Sequence, residues 1–163
     1  MKVVIKDDLI ILFLNKDYIS TLDLTDKETI HNYLKQLLLK LQNNYDLDFN
    51  GFYNMNLYID KYYGVIIEVK KEELEYLDYF TSTEINTKII EDSFLYEITN
   101  IDDFKNNNYQ IYTYKNHIYI KINNQLKSHE IGFLLEHTLK IIYGKERNKI
   151  IKKAKEVIIC ENP

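Results

Sequence analysis

The sequence predicts an α+β fold made of two β-hairpin-plus-helix lobes, mostly antiparallel sheet covered by helices, with two further helices at the C-terminal end. Three observations lead there. Two stretches, residues 52 to 70 and 110 to 122, alternate apolar and polar residues on either side of a turn, as half-buried hairpins do. A single apolar stripe at helical spacing, Ile30, Leu34, Leu37, Leu38 and Leu41, lies between the first strands and the first of those hairpins. Two more amphipathic stretches close the chain.

Taken in order, Val3-Val4-Ile5, a Lys6-Asp7-Asp8 turn and Leu9 to Leu14 form an opening hairpin. Its second arm is apolar at every step, which suits a central strand covered on both faces. Thr25-Asp26-Lys27-Glu28 matches the capping box, with Thr25 as the expected N-cap of the helix that carries the stripe. Tyr53, Met55, Leu57 and Ile59 alternate with Asn54, Asn56 and Tyr58, and Val65, Ile67 and Val69 return after an Asp60-to-Gly64 turn. Residues 71 to 87 read as a charged, aromatic connector holding one short helix. A strand is expected over Lys88 to Ile98. The polar loop with Asp102-Asp103 and Asn106-Asn107-Asn108 follows, then a hairpin turning at Lys115-Asn116. A helix from Ser128 buries Ile131, Leu134, Leu135, Thr138 and Ile142 and ends at Gly144, a residue suited to the left-handed position after a helix. The last helix places Ile150, Ile151, Ala154, Val157 and Ile158 on one face and Lys149, Lys152, Lys153 and Lys155 outside. The expected organisation is one domain over residues 1 to 163, with an N-terminal lobe 1–70, a connector 71–87 and a C-terminal lobe 88–163 joined without a Gly/Pro/Ser linker.

Composition narrows the function classes. A chain of 163 residues with 45% hydrophobic and 28% charged residues has the balance of an ordinary globular domain. Charge interrupts Met1 to Asp8 before an apolar signal region forms, and no apolar run approaches membrane-spanning length. A cytoplasmic location without membrane association is expected, and Cys160, the one cysteine, fits a reducing compartment. The formal charge is −4 and Arg147 is the one arginine, so nucleic acid is not the expected partner.

Candidate chemistry is sparse. His129-Glu130 and Glu136-His137 place two histidines eight residues apart, ~12 Å along a helix, whereas sharing an ion calls for histidines one turn apart. His31, His117 and Cys160 have no nucleophile or base partner at a recognisable spacing. The pairs Asp7-Asp8, Glu72-Glu73 and Asp102-Asp103 sit where turns and helix starts favour carboxylates. Gly51, Gly64, Gly132 and Gly144 are too scattered for a phosphate loop. No catalytic residue, cofactor or metal is therefore expected. The tyrosine excess is more informative, with 15 Tyr and no Trp. Tyr58, Tyr62, Tyr112, Tyr114 and Tyr119 fall on the predicted outer faces of the hairpins, where tyrosine supplies contact area with a polar tip. They are the partner-binding candidates.

The second half resembles a known family. Tyr112-x-Tyr114-x-Asn116-x-x-Tyr119-Ile120, the helix with Leu134-Leu135-Glu136, Glu156-Val157-Ile158-Ile159 at the end, and Ile101-Asp102-Asp103-Phe104 are similar to the C-terminal half of MecA-type adaptor proteins of low-GC Gram-positive bacteria. The resemblance covers roughly residues 88 to 160; the family's acidic linker has no counterpart here. It implies an adaptor-like regulator that brings client proteins to a Clp-type AAA+ protease machine. The expectation is thus a non-enzymatic module with a protein partner, compatible with a homo-oligomer. The alternatives are a small phage or defence-related inhibitor, and a small enzyme assembled from distant residues such as His31, His117 and Asp102-Asp103.

Overall fold

The computed structural model describes residues 1–20, 23, 25–72, 82–104 and 108–157. Its elements are β1 (Lys2–Lys6), β2 (Leu9–Asn15), α1 (Lys27–Tyr45), β3 (Gly51–Asp60), β4 (Gly64–Lys71), β5 (Thr83–Glu91), β6 (Leu95–Ile98), β7 (Tyr109–Tyr114), β8 (His117–Ile122), α2 (Ser128–Glu136), β9 (Thr138–Ile142), α3 (Gly144–Lys153) and β10 (Lys155–Val157). They build an α+β fold with two five-stranded sheets, ordered β1-β2-β4-β3-β5 and β10-β7-β8-β6-β9. The chain divides into two compact units. Unit 1 holds Met1–Ile59 and Gly64–Ile90, and unit 2 holds Asp60–Tyr63 and Glu91–Pro163.

In unit 1 the stripe on α1 is the buried one: Ile30, Leu34, Leu37, Leu38 and Leu41 pack with Leu12 and Leu14 of β2, Tyr53, Met55 and Leu57 of β3, and Val65, Ile67 and Val69 of β4. Period 3.6 on the helix meets period 2 on each strand, so one apolar face covers the other. β2 is interior, between β1 and β4, yet only Leu12 and Leu14 are fully buried, with Ile11 and Phe13 half-buried. The expected double cover is thus uneven.

The N-cap of α1 is Asp26 rather than Thr25. Its carboxylate accepts the amides of Glu28 (3.2 Å) and Thr29 (3.3 Å) and the Thr29 hydroxyl, while Thr25 bonds Asp23 instead. Asp is as good a cap as Thr and sits one residue closer to the stripe. The Thr29 hydroxyl, chiefly, holds the Asp26 carboxyl below its usual range. A group with a lowered folded pKa stabilises above its unfolded value, 3.8, and loses that contribution as pH falls through the folded one. Asp26→Ala is expected to lower the melting temperature by a few degrees at pH 7 and by less at pH 3; equal losses at the two pH values would contradict the charged cap.

Three sequence expectations are corrected. The strand expected over Lys88 to Ile98 is two strands in two sheets: β5 begins at Thr83, inside the expected connector, and β6 starts after a break at Asp92-Ser93-Phe94. The helix expected to run from Ser128 to Gly144 ends at Glu136, and residues 138–142 are the edge strand β9, paired with β6. The Thr138 hydroxyl donates to the Leu134 carbonyl (2.7 Å) and ends the helix, after which the β-branched Thr138, Ile141 and Ile142 favour a strand. Gly144 opens α3 instead of closing α2, and residues 155–157 are strand β10 on β7. Between β7 and β8, Lys115 (φ 50°) and Asn116 (φ 64°) both take left-handed backbone, the two-residue turn whose twist matches a hairpin. The short helix expected in the connector lies outside the described residues, as do Cys160 and Ile158.

Candidate functional site

Three of the five tyrosines expected to bind a partner, Tyr58, Tyr112 and Tyr119, are buried, and Tyr62 and Tyr114 are half-buried. Tyr58 is buried and its hydroxyl donates to Glu68 Oε2 (3.2 Å). Tyr112 and Tyr119 face each other across β7 and β8 and pack with Leu95, Ile142 and Ile150, the last from α3. Burial, before any neighbouring charge, pushes both phenols above their usual pKa. Tyr114, on the same face, is half-buried against that cluster. Tyr62 is half-buried and donates to the Asn124 carbonyl (3.0 Å). The expectation of outer faces fails because alternation tells which residues share a face, and not which face a later helix covers. Here α3 covers the face that carries Tyr112, Tyr114 and Tyr119.

At the β3–β4 turn, unit 2 contains a buried carboxylate that the sequence reading treats only as a turn residue. Asp60 is 5% exposed. Its Oδ1 accepts the amides of Tyr62 (2.8 Å) and Tyr63 (2.9 Å) and the hydroxyl of Tyr96 (2.9 Å), and its Oδ2 accepts the amide of Phe94 (2.9 Å). Burial, then the Asp60 charge, drives the Tyr96 phenol well above its usual pKa, so it stays a donor. A cavity of about 190 Å³ lies against Asp60, Tyr62, Ser93, Phe94 and Tyr96. The carboxylate on its wall is occupied by four donors from the protein itself, which marks a structural node.

Asp92 and Arg147 form a second node. Asp92 Oδ2 accepts the amide of Gly144 (2.9 Å), capping α3 from a distant strand end, and Arg147 Nε lies 3.3 Å from Asp92 Oδ1. The same guanidinium donates to the Ser93 carbonyl (2.7 Å) and to Ser93 Oγ (2.8 Å). The one arginine of the chain is thereby committed to holding the β5–β6 junction on α3.

The residues considered for catalysis are not among the partners of either node. His117 Nδ1 meets Glu97 Oε1 at 2.7 Å in a cross-strand pair of an exposed histidine with a half-buried glutamate. His31 lies on α1 in unit 1, whereas Asp102 and Asp103 form a 3-10 turn in unit 2. Among the described residues no three His, Cys, Asp or Glu side chains gather so as to hold a metal ion, and no helix is long and apolar enough to cross a membrane.

What the sequence reading missed is a surface at α2 and β9. Phe133 is 40% exposed and stacks on His137 (4.2 Å between rings), whose Nδ1–H donates to the Phe133 carbonyl (2.9 Å). Phe104 packs beneath, 5.5 Å from the Phe133 ring. Leu139 follows on β9 and is 64% exposed. It is the extra residue of a β-bulge, because Glu97 pairs with Lys140 and Ile98 with Thr138. β9 is also the last strand of its sheet, so one side of its backbone pairs with no strand among the described residues. β9 is short, carries Lys140 and is broken by the bulge, features by which proteins blunt an edge, and Leu139 nevertheless stands exposed on it. No family model, no curated protein and no solved structure matches the chain.

Proposed function

We propose that the chain is a non-enzymatic protein-binding module that takes up an extended segment of a partner protein on β9 of unit 2. The observation that carries this reading is Leu139, held out by the bulge on an edge strand. Strand addition to such an edge draws affinity from main-chain hydrogen bonds and specificity from neighbouring side chains, for which Leu139 and the Phe133–His137 pair provide the apolar contact. The resemblance to MecA-type adaptors supports the narrower role of a regulator of a Clp-type AAA+ protease machine.

Selection of displayed peptides on the full chain, followed by amide chemical-shift mapping, tests the module. Enriched peptides are expected to shift the amides of residues 138–142, and Leu139→Asp is expected to weaken their binding about tenfold, the scale of losing one buried apolar anchor. Shifts confined to other strands, or binding indifferent to Leu139→Asp, would remove β9 as the site. Co-elution with a Clp-type AAA+ ATPase tests the adaptor role separately.

A further inference from the structure

Asp60 carries a buried charge that no ion pair balances. Its four hydrogen bonds come from neutral donors, three amides and a phenol, and among the described residues no lysine, arginine or histidine pairs with it. Buried charges are ordinarily paired. Asp92, the other carboxylate on the cavity, is matched by Arg147 at 3.3 Å. Asp60 Oδ2 accepts only the Phe94 amide, and a carboxylate oxygen has room for a second donor. The cavity beside it has walls suited to a cation. Tyr62, Phe94, Tyr96 and Ile122 make them aromatic and apolar, and Asp60 and Asp92 outnumber Lys61 among the charged residues there. The chain's own ammonium shows the preference: Lys61 Nζ lies 5.4 Å from the centre of the Tyr62 ring, within cation–π reach.

We infer that this cavity binds the ammonium group of a primary amine with a short alkyl chain, Asp60 Oδ2 accepting one of its N–H groups and the aromatic walls taking the cation and the chain. The volume, about 190 Å³, suffices, since a cavity of ~150 Å³ admits benzene. A divalent metal fits less well: Ca²⁺ and Mg²⁺ gather about six or more oxygens, and the Asp92 carboxylate is already committed to the Gly144 amide and to Arg147. An anion would lie against the unpaired Asp60 charge with Lys61 as its one cationic partner on the lining. The inference is independent of the β9 reading, because neither Leu139 nor any other residue of β9 lines the cavity.

Amide chemical-shift titration of the full chain at neutral pH decides it, with butylamine, butanol and butyrate as probes of one size and three charges, and acetyl-lysine amide as a stand-in for a lysine of a partner protein. Butylamine is expected to bind at least about tenfold more tightly than butanol, shifting the amides of Tyr62, Ser93, Phe94 and Tyr96. Binding of acetyl-lysine amide as tight as that of butylamine assigns the ammonium to a lysine side chain, and its exclusion assigns it to a free amine; both outcomes uphold the site. Asp60→Asn is expected to bring butylamine down to the affinity of butanol. Ile122→Phe, which fills the cavity, is expected to weaken both, and it keeps the test open should Asp60→Asn fail to fold. Lys61→Met removes a like charge and frees the Tyr62 ring, so butylamine should bind two- to threefold more tightly there. Butylamine no tighter than butanol, or indifferent to both Asp60→Asn and Ile122→Phe, overturns the inference. Butyrate binding tightest, and lost in Lys61→Met, assigns the cavity to an anion and overturns it equally. Circular dichroism of each variant keeps folding separate from binding.

Discussion

Asp60→Ala is expected to cost about 3–5 kcal/mol, because it strands the Tyr96 hydroxyl and the Phe94 amide inside the protein and loosens the amides of Tyr62 and Tyr63. A buried donor without an acceptor costs about 1–3 kcal/mol, and the cost of burying the carboxylate is recovered only in part. For a chain of 163 residues this is a drop of ~10 °C in melting temperature. Asp60→Asn tests the same geometry more gently: one amide oxygen replaces two carboxylate oxygens, so a donor at Oδ2 would face the Phe94 amide. A loss smaller than that of the alanine variant but still near 2 kcal/mol is expected. The Tyr96 phenol adds a pH signature. Its folded pKa is raised, so its contribution is complete below the unfolded value, 10.0, and declines as pH climbs past it toward the folded value. Tyr96→Phe should therefore show a shallower alkaline loss than the parent chain in denaturant titrations. Parallel curves, or an Asp60→Ala variant as stable as the parent, would refute the node.

The parts of this fold that local pattern alone decides were legible. Five apolar residues at helical spacing define the buried face of α1, and alternation defines β3, β4, β7 and β8. The misreadings occur where a distant residue decides. Ile131 to Ile142 carries helical spacing to its end, and the Thr138 bond to Leu134 marks where the helix gives way to β9. Gly144 is a fair helix terminator by sequence, yet its amide is taken by Asp92, from the far end of another strand. Asp60 reads as a turn former, and two of its four donors come from residues 94 and 96. Tyr112 and Tyr119 lie on one face as alternation requires, and only α3 makes that face an interior. Leu139 owes its exposure to a bulge, for which the run Thr138-Leu139-Lys140 carries no signal.

Gly64→Ala and Gly132→Ala make an opposed pair of expected results, and backbone geometry decides both. Gly64 opens β4 opposite Asn15 with φ at +129°, a conformation L side chains rarely adopt. A Cβ there would overlap the Leu14 carbonyl oxygen and come within 2.8 Å of the Asn15 carbonyl carbon and the Lys16 amide. These are backbone atoms of β2 and the residue after it, so no side chain can swing away to relieve the contact. Strained backbone costs about 1–3 kcal/mol and forced overpacking about as much again, giving ~3–5 kcal/mol together. Gly132 sits in α2 with open space where its Cβ would go, so alanine there removes backbone freedom from the unfolded chain without a clash. That change should raise stability by about 0.5–1 kcal/mol. Urea titration of both variants measures the contrast. A tolerated Gly64→Ala would mean that β2 and β4 can slide apart at that end of their ladder, which the seven-residue register from Leu9 opposite Lys70 to Asn15 opposite Gly64 does not permit without exchanging Leu12 and Leu14 between core and surface.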